Sequence, residues 1–290
     1  MVGPGAIGGT VAAWLSHSSR VASVTICART PLDRLIVEAP DGRLIEAGPR
    51  VVTDTSEITA PVDWVLVATK AYDVAAASTW LAPLVGPDTY VAVLQNGVEH
   101  VERFTPFVAA DRIVPVVVDI PAERSAPGRI QHRRDGTIVV PAGEAGEAFV
   151  ALFADSIIEA STTDDFTTVA WTKLSLNCAG AVNALTGLPG GVVRAAGVAD
   201  LMRGMVRECV LVGRAAGADL GDHIPDWVVE RAEISPPDSV NSMLGDRLAG
   251  RPMEWDARNG VIARLGALHG IATPLNGMAA TLLSILEVAC

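Results

Sequence analysis

Met1-Val2-Gly3-Pro4-Gly5-Ala6-Ile7-Gly8-Gly9 stands at the head of the chain, and its Gly3, Gly5 and Gly8 are spaced G-x-G-x-x-G. Each glycine in that spacing answers a separate demand. The first turns the chain sharply out of a strand, the second lets the backbone approach a pyrophosphate, and the third lets the next helix pack close to the strand. The phosphates then rest against the helix N-terminus. Gly3, Gly5, Ala6, Ile7 and Gly8 are therefore candidate cofactor-binding residues, and the small, apolar run that follows predicts a helix over 6–18. One feature runs against the pattern. Only Met1 and Val2 precede the turn, where a central strand of about five or six residues belongs. The expectation is that the strands on either side present unpaired edges, an aggregation hazard.

Working outward, V-A-S-V-T-I-C-A at 21–28 is a β-branched run that reads as a strand and delivers Arg29, 21 residues after Gly8. In the NAD-binding form of such a unit an acid about 20 residues past the glycines holds the ribose hydroxyls, and an arginine there suits a 2′-phosphate instead. No acid flanks Arg29, so the reading is NADP rather than NAD. Residues 35–52 predict a small hairpin turning at Asp41-Gly42. W-V-L-V-A-T at 64–69 is continuously apolar, as a strand buried on both faces of a parallel sheet must be. It ends at Lys70. A helix over 74–84 and a second buried strand over 90–94 follow, the strand ending at Gln95-Asn96-Gly97. Ligands of open α/β sheets sit outside the carboxyl ends of the strands. The glycine turn, Arg29, Lys70 and Asn96 all fall on that edge. Taken singly, Lys70 also reads as a solvated lysine and Asn96-Gly97 as a turn.

Residues 112–120 predict another strand, 128–140 an exposed hairpin through Asp135-Gly136 with His132, Arg133 and Arg134 on a solvated turn, 144–153 a helix, and Ile157-Ile158 the start of an edge strand. From 164 the strand–helix alternation stops. Helices are expected from 164 toward 184, then over 194–216, 226–233, 239–248, 252–269 and 274–288. The fold class that results is an α/β Rossmann-type dinucleotide-binding domain, 1–163, with its first strand largely missing, followed by an all-α domain, 164–290.

The formal net charge of −11 argues against a nucleic-acid partner and against a polybasic membrane anchor. The uncharged run 174–193 carries Asn177, Asn183, Thr186 and Pro189, so it reads as a buried helix and turn rather than a span. No charged segment followed by an apolar core opens the chain, so neither a leader nor a membrane anchor is expected. Cys27, Cys178, Cys209 and Cys290 are isolated, as buried thiols of a reducing cytoplasm are. The histidines, at 17, 100, 132, 223 and 269, form no metal-ligand spacing, and no metal is expected.

Hydride addition to a carbonyl leaves an alkoxide that needs a proton donor. Lys173 is the one lysine after Lys70, on an apolar helix with Asn177 four residues on and on the same face. It reads either as that donor or as a lysine snorkelling at a helix edge. Glu254 follows Pro252-Met253 at a helix start, either as a site carboxylate or as a partner of the helix dipole. Ser242 alone is an ordinary helix serine.

Together, G-P-G-A-I-G-G at 3–9, T-K-A-Y-D around Lys70, L-Q-N-G-V-E around Asn96, W-T-K-L-S-L-N at 171–177, N-S-M-L-G-D-R at 241–247, E-W-D-A-x-N-G at 254–260 and H-G-I-A-T-P at 269–274 resemble the ketopantoate reductase (2-dehydropantoate 2-reductase) family, in order and over both domains. The resemblance implies NADPH-dependent reduction of a 2-oxo acid, by default ketopantoate to pantoate in pantothenate biosynthesis. It makes Lys173 the general acid, and pairs it with Glu254, which would hold substrate or cofactor. Asn177 and Ser242 become substrate hydrogen-bonders. Arg29, Lys70 and Asn96 fall on the cofactor side, with Asn96 reaching both ligands. One departure stands out. Family members carry a further asparagine two turns after the lysine; Ala181 occupies that offset here, and Asn183 is the nearest substitute. The alternatives are a relative acting on another small 2-oxo acid and a non-catalytic NADP-binding or sensing protein. An apolar face on the last helices would allow a homodimer.

Overall fold

The computed structural model describes residues 1–288. Its contacts divide into two compact units, Met1–Gln95 with Glu99–Phe166, and Asn96–Val98 with the residues from Thr167 onward. The first is an α/β unit of the Rossmann type and the second is helical, as the sequence implied.

The first unit runs α1 (Ala6–Leu15), β1 (Thr25–Cys27), β2 (Leu35–Glu38), β3 (Leu44–Ala47), β4 (Arg50–Val52), β5 (Trp64–Val67), α2 (Val74–Leu84), β6 (Tyr90–Val93), α3 (His100–Phe104), β7 (Ile113–Pro115), β8 (Val117–Asp119), β9 (Ala122–Ala126), β10 (Arg129–His132), β11 (Thr137–Pro141), α4 (Glu144–Ala151) and β12 (Glu159–Thr163). The main sheet is parallel: β1 pairs with β4, and β5, β6 and β7 pair in that order. α1 is buried from Gly8 to Leu15, which is why its sequence shows no charged face.

The expected bare edges around the glycine turn are not what the chain forms. Val2 lies between β1 and β5 and bridges in parallel to Cys27 on one side and Val67 on the other. Its N–H donates to the Leu66 carbonyl (2.8 Å) and its carbonyl accepts from Ala68 (2.9 Å). Across the other edge, Cys27 N–H donates to the Met1 carbonyl (2.8 Å) and Gly3 N–H to that of Cys27 (3.2 Å). The stub suffices because its neighbours are short: β1 is three residues and β5 four.

The expected hairpin over 128–140 is also overturned. β10 runs parallel to β2 and antiparallel to β9, whereas β11 pairs with β8 and β12. The Asp135-Gly136 region therefore carries the chain from one small sheet to another. His132 is only 1% exposed, so it is not part of a solvated turn. Arg133 and Arg134 do reach solvent, paired with Glu123 and Asp119. The strand expected over 112–120 splits at Val116 into β7 and β8, which join different sheets.

The helical unit holds α5 (Phe166–Ala179, whose first residue belongs to the other unit), α6 (Ala181–Thr186), α7 (Val198–Ala215), α8 (Ile224–Ile234), α9 (Ser242–Leu248), a π-helical turn at Asp256–Gly260, α10 (Val261–His269) and α11 (Pro274–Val288). Its core gathers Trp171, Leu174, Cys178, Met205, Val206, Cys209, Val229, Ile262 and Leu283. The helix expected from 164 toward 184 breaks at Gly180. Asn241 donates its Nδ2 to the Gly180 carbonyl (3.1 Å), and its amide sits 2.9 Å from where a Cβ at 180 would lie. The buried Glu208 of α7 receives the leading amides of α11, from Leu275 and Asn276, and the Asn276 side chain. Among the described residues no helix is long and apolar enough to cross a membrane. Cys27, Cys178 and Cys209 are buried and free; Cys290 lies outside the described residues.

Candidate active site

The glycine turn is built as its spacing demands. Gly3 has φ +88°, and a Cβ there would lie 2.8 Å from Thr69 Cγ2. A Cβ on Gly8 would lie 2.2 Å from the Gly3 carbonyl oxygen. Gly5 differs: nothing lies within 4 Å of where its Cβ would be, so the space in front of it is open to a ligand. Gly5 is also the N-cap of α1. It offers no side-chain cap, and the first turn holds no acid. The leading amides and the positive end of the helix dipole are thus presented to an anion. These features fit the pyrophosphate of a dinucleotide.

Arg29 follows β1 by two residues, with its side chain 83% exposed and 4.0 Å from the Asp73 carboxylate. An exposed ion pair at that length is weak, so the guanidinium can turn to a phosphate. Lys70 lies past the end of β5. Its carbonyl accepts from Gln95 Nε2 (3.2 Å), which also donates to Thr69 Oγ1 (3.0 Å). The Gln95 carbonyl in turn accepts from His100 Nε2 (2.9 Å). Burial lowers the His100 pKa to about 4, so the ring is neutral and can donate there. Gln95 and His100 lock the ends of β5 and β6 together. Neither was a candidate from the sequence, because nothing local marks a buried histidine as a brace.

In the helical unit, Lys173 and Asn177 share a half-buried face of α5, while Trp171, Leu174 and Cys178 pack into the core. Asn177 Nδ2 donates to Asn96 Oδ1 (3.4 Å), and Asn96 Nδ2 donates to Glu254 Oε2 (3.0 Å). Asn96, read from the sequence as a residue of the nucleotide-unit edge, thus groups with the helical unit. Glu254 is 4% exposed. Ser242 opens α9, whose N-cap Asn241 accepts from Leu244 N–H (2.9 Å).

Two members of this cluster escaped sequence reading. Arg258, 3% exposed, lies in the π-helical turn and donates Nη2 to Ser242 Oγ (2.8 Å). Asp246, 4% exposed, accepts from Arg251 Nε (3.0 Å). Burial lowers the Arg258 pKa, and the Glu254 and Asp246 carboxylates push it back up. A wide turn of this kind re-aims side chains and is common at functional sites; here it turns both Arg258 and Asn259 inward. Nothing local marked Arg258, since Glu254, Asp256, Asn259 and Arg264 make the same stretch of chain polar.

Asn183 is placed differently. It accepts from Asn241 Nδ2 and donates to the Leu188 carbonyl, each at 3.1 Å. It borders a cavity of about 220 Å³, together with Leu176, Gly180, Arg231 and Asn241, that none of Lys173, Asn177, Ser242 or Glu254 lines. Ala181, at the offset where the family resemblance expects an asparagine, is fully buried.

A glycine-turn nucleotide unit and a helical unit carrying a lysine, amides and a buried carboxylate define a two-domain, nicotinamide-dependent oxidoreductase. The family model described as Ketopantoate reductase PanE/ApbA matches residues 1–145, and that of its C-terminal part matches 165–287. The chain belongs to the ketopantoate reductase family. The 2-dehydropantoate 2-reductase of Caulobacter vibrioides is 59% identical, over 98% of this chain and 97% of that protein. That of Mycobacterium tuberculosis is 41% identical, over 98% and 96%. Among solved structures, the 2-dehydropantoate 2-reductase of Geobacter metallireducens superposes with a TM-score of 0.90 at 28% identity, covering 98% of each chain.

Proposed function

We propose that this protein reduces 2-dehydropantoate (ketopantoate) to pantoate with NADPH, a step of pantothenate biosynthesis. The observation that carries the reading is the hydrogen-bonded series Asn177, Asn96, Glu254, with Lys173 one turn before Asn177 on the same helix.

In this reading the glycine turn holds the pyrophosphate, Arg29 the 2′-phosphate, and Lys70 and Asn96 the rest of the cofactor's near side. Bound NADPH supplies the hydride. Asn96, Asn177 and Ser242 hydrogen-bond the 2-oxo acid and hold its ketone in one orientation. Lys173 gives the proton to the ketone oxygen as negative charge builds there, and afterwards recovers one from solvent. Glu254, acting as an acceptor, keeps Asn96 turned so that its other amide face can reach a ligand. Asn183 joins the substrate set only if its bonds to Asn241 and Leu188 open.

The reading tested against ketopantoate reduction is a family relative acting on a different 2-oxo acid, to which the buried Ala181 at the asparagine offset is the one pointer. NADPH oxidation followed with ketopantoate beside pyruvate and phenylglyoxylate separates the two: highest kcat/KM on ketopantoate supports the first. Tight NADPH binding with no turnover of any acid would instead mark a cofactor-sensing protein. A cytoplasmic setting suits the three free, buried thiols. A homodimer belongs to the same proposal, because α11 exposes Met278, Leu282 and Ile285 along one stripe; sedimentation of the purified protein tests it.

A further inference from the structure

We propose that Arg258 is a positioning residue for the 2-oxo acid, acting through Ser242: its guanidinium occupies a lone pair of the Ser242 hydroxyl and so commits that hydroxyl's proton to the substrate. This rests on the functional reading above.

A serine hydroxyl has one proton to give and two lone pairs, whereas a guanidinium can only donate. The bond from Arg258 Nη2 to Ser242 Oγ therefore fixes the direction of the hydroxyl (2.8 Å). The serine receives from the arginine and must donate elsewhere. A carboxylate or ketone oxygen is the complementary ligand. Without Arg258 the hydroxyl could rotate to several orientations, and part of its donor strength would be lost to the substrate.

The placement of Arg258 is hard to explain as structure alone. Arg258 is 3% exposed, and Ala257, Asn259, Val261 and Ile262 along the same stretch of chain are buried. Taking charges out of water is costly, and replacing a whole buried ion cluster by apolar side chains of similar size is often as stable or more so. The charge is balanced rather than removed: Glu254 and Asp246 face it, and Arg251 in turn pairs with Asp246. Arg258 Nε is left with no hydrogen-bond partner. A purely structural arginine would be expected to satisfy its fork; this one leaves a donor unmade while its Nη2 is directed at Ser242.

The test is a double-mutant cycle read by titrating ketopantoate into the NADP⁺-loaded protein, which needs no turnover. Wild-type turnover scores the functional reading separately. Arg258→Met and Ser242→Ala should each weaken ketopantoate binding by about tenfold, the scale of one hydrogen bond to a charged group. The double variant should be no weaker than the worse single, since both remove the same donor. NADPH affinity of Arg258→Met should stay at the wild-type value, while its melting temperature should fall, because buried Glu254 and Asp246 lose the cation that balances them. Arg258→Lys, which keeps the charge and a donor, should recover part of the loss, and it decides the matter if the methionine variant does not fold. Multiplicative losses in the double variant, unchanged ketopantoate affinity in Arg258→Met, or a loss in Arg258→Lys no smaller than that of Ser242→Ala would overturn the proposal.

Discussion

The glycine turn at Gly3 to Gly8 and the cluster around Glu254 and Arg258 do opposite kinds of work. At the turn, the proposed function rests on atoms that are missing: a Cβ on Gly8 would collide with the Gly3 carbonyl, and nothing lies near where a Cβ on Gly5 would be. In the cluster, the proposed function rests on side chains brought together against a large desolvation cost, with Glu254, Arg258 and Asp246 each at most 4% exposed. A backbone site is compact in sequence, because helix start and turn are consecutive. A side-chain site is assembled from α5, α9, the π-helical turn and the three residues 96–98. The difference predicts different failures: the turn should break by addition of atoms and the cluster by their removal.

The largest effects should come from removing charge in the cluster. Glu254→Ala takes away one of the two carboxylates facing buried Arg258 and should destabilise the helical unit by about 3–5 kcal/mol, read by denaturant melting. Glu254→Gln, which still accepts from Asn96, should lose less. A near-neutral Glu254→Ala would mean that Asp246 alone balances the arginine. At the turn, Gly8→Ala should cost about 3 kcal/mol by overpacking against backbone. Gly5→Ala should melt like wild type yet bind NADPH more weakly, because its methyl group occupies only the ligand's space. If both alanines cost stability equally, the open space at Gly5 is not a ligand site.

A third prediction concerns the brace behind the turn. His100 is neutral in the folded state, with its pKa lowered to about 4 by burial. The unfolded chain takes up that proton first as pH falls, so the contribution is fully present above about pH 6.5 and is lost toward pH 4. It amounts to about 3 kcal/mol over that window. His100→Gln should flatten the pH dependence of the melting temperature there; an unchanged slope would assign acid lability to other groups. The smallest effect is at Arg29. Arg29→Gln should lower the preference for NADPH over NADH about tenfold, measured as a ratio of kcat/KM, through loss of a charge-assisted bond to the 2′-phosphate.

What could be read from the sequence follows the same division. The turn, the apolar strands β5 and β6, and the helices α2 and α11 are local patterns, and the last two appear with the bounds expected. The pairing of β10 with β2 was not legible, since it joins segments far apart and Asp135-Gly136 looks like any hairpin turn. The burial of His132 goes with it. Val2 could pair on both sides because its neighbours are short, and strand length is set by tertiary contact rather than by the run of β-branched residues over 21–28. Lys173, Asn177 and Glu254 were marked by residue type and by family resemblance. Arg258 was not, because only the π-helical turn sends it inward, and that turn has no local signature beyond Gly260, where a Cβ would lie 2.6 Å from Asp256 Oδ1.

The division of labour itself is tested most directly in one preparation of Lys173→Ala, by measuring NADPH affinity by fluorescence and the single-turnover rate of NADPH oxidation with ketopantoate. The dissociation constant should be unchanged and the rate lower by about 10²–10⁴-fold, the usual worth of a positioned proton donor. A wild-type rate, or a loss of NADPH affinity that accounts for the whole loss of rate, would contradict that division.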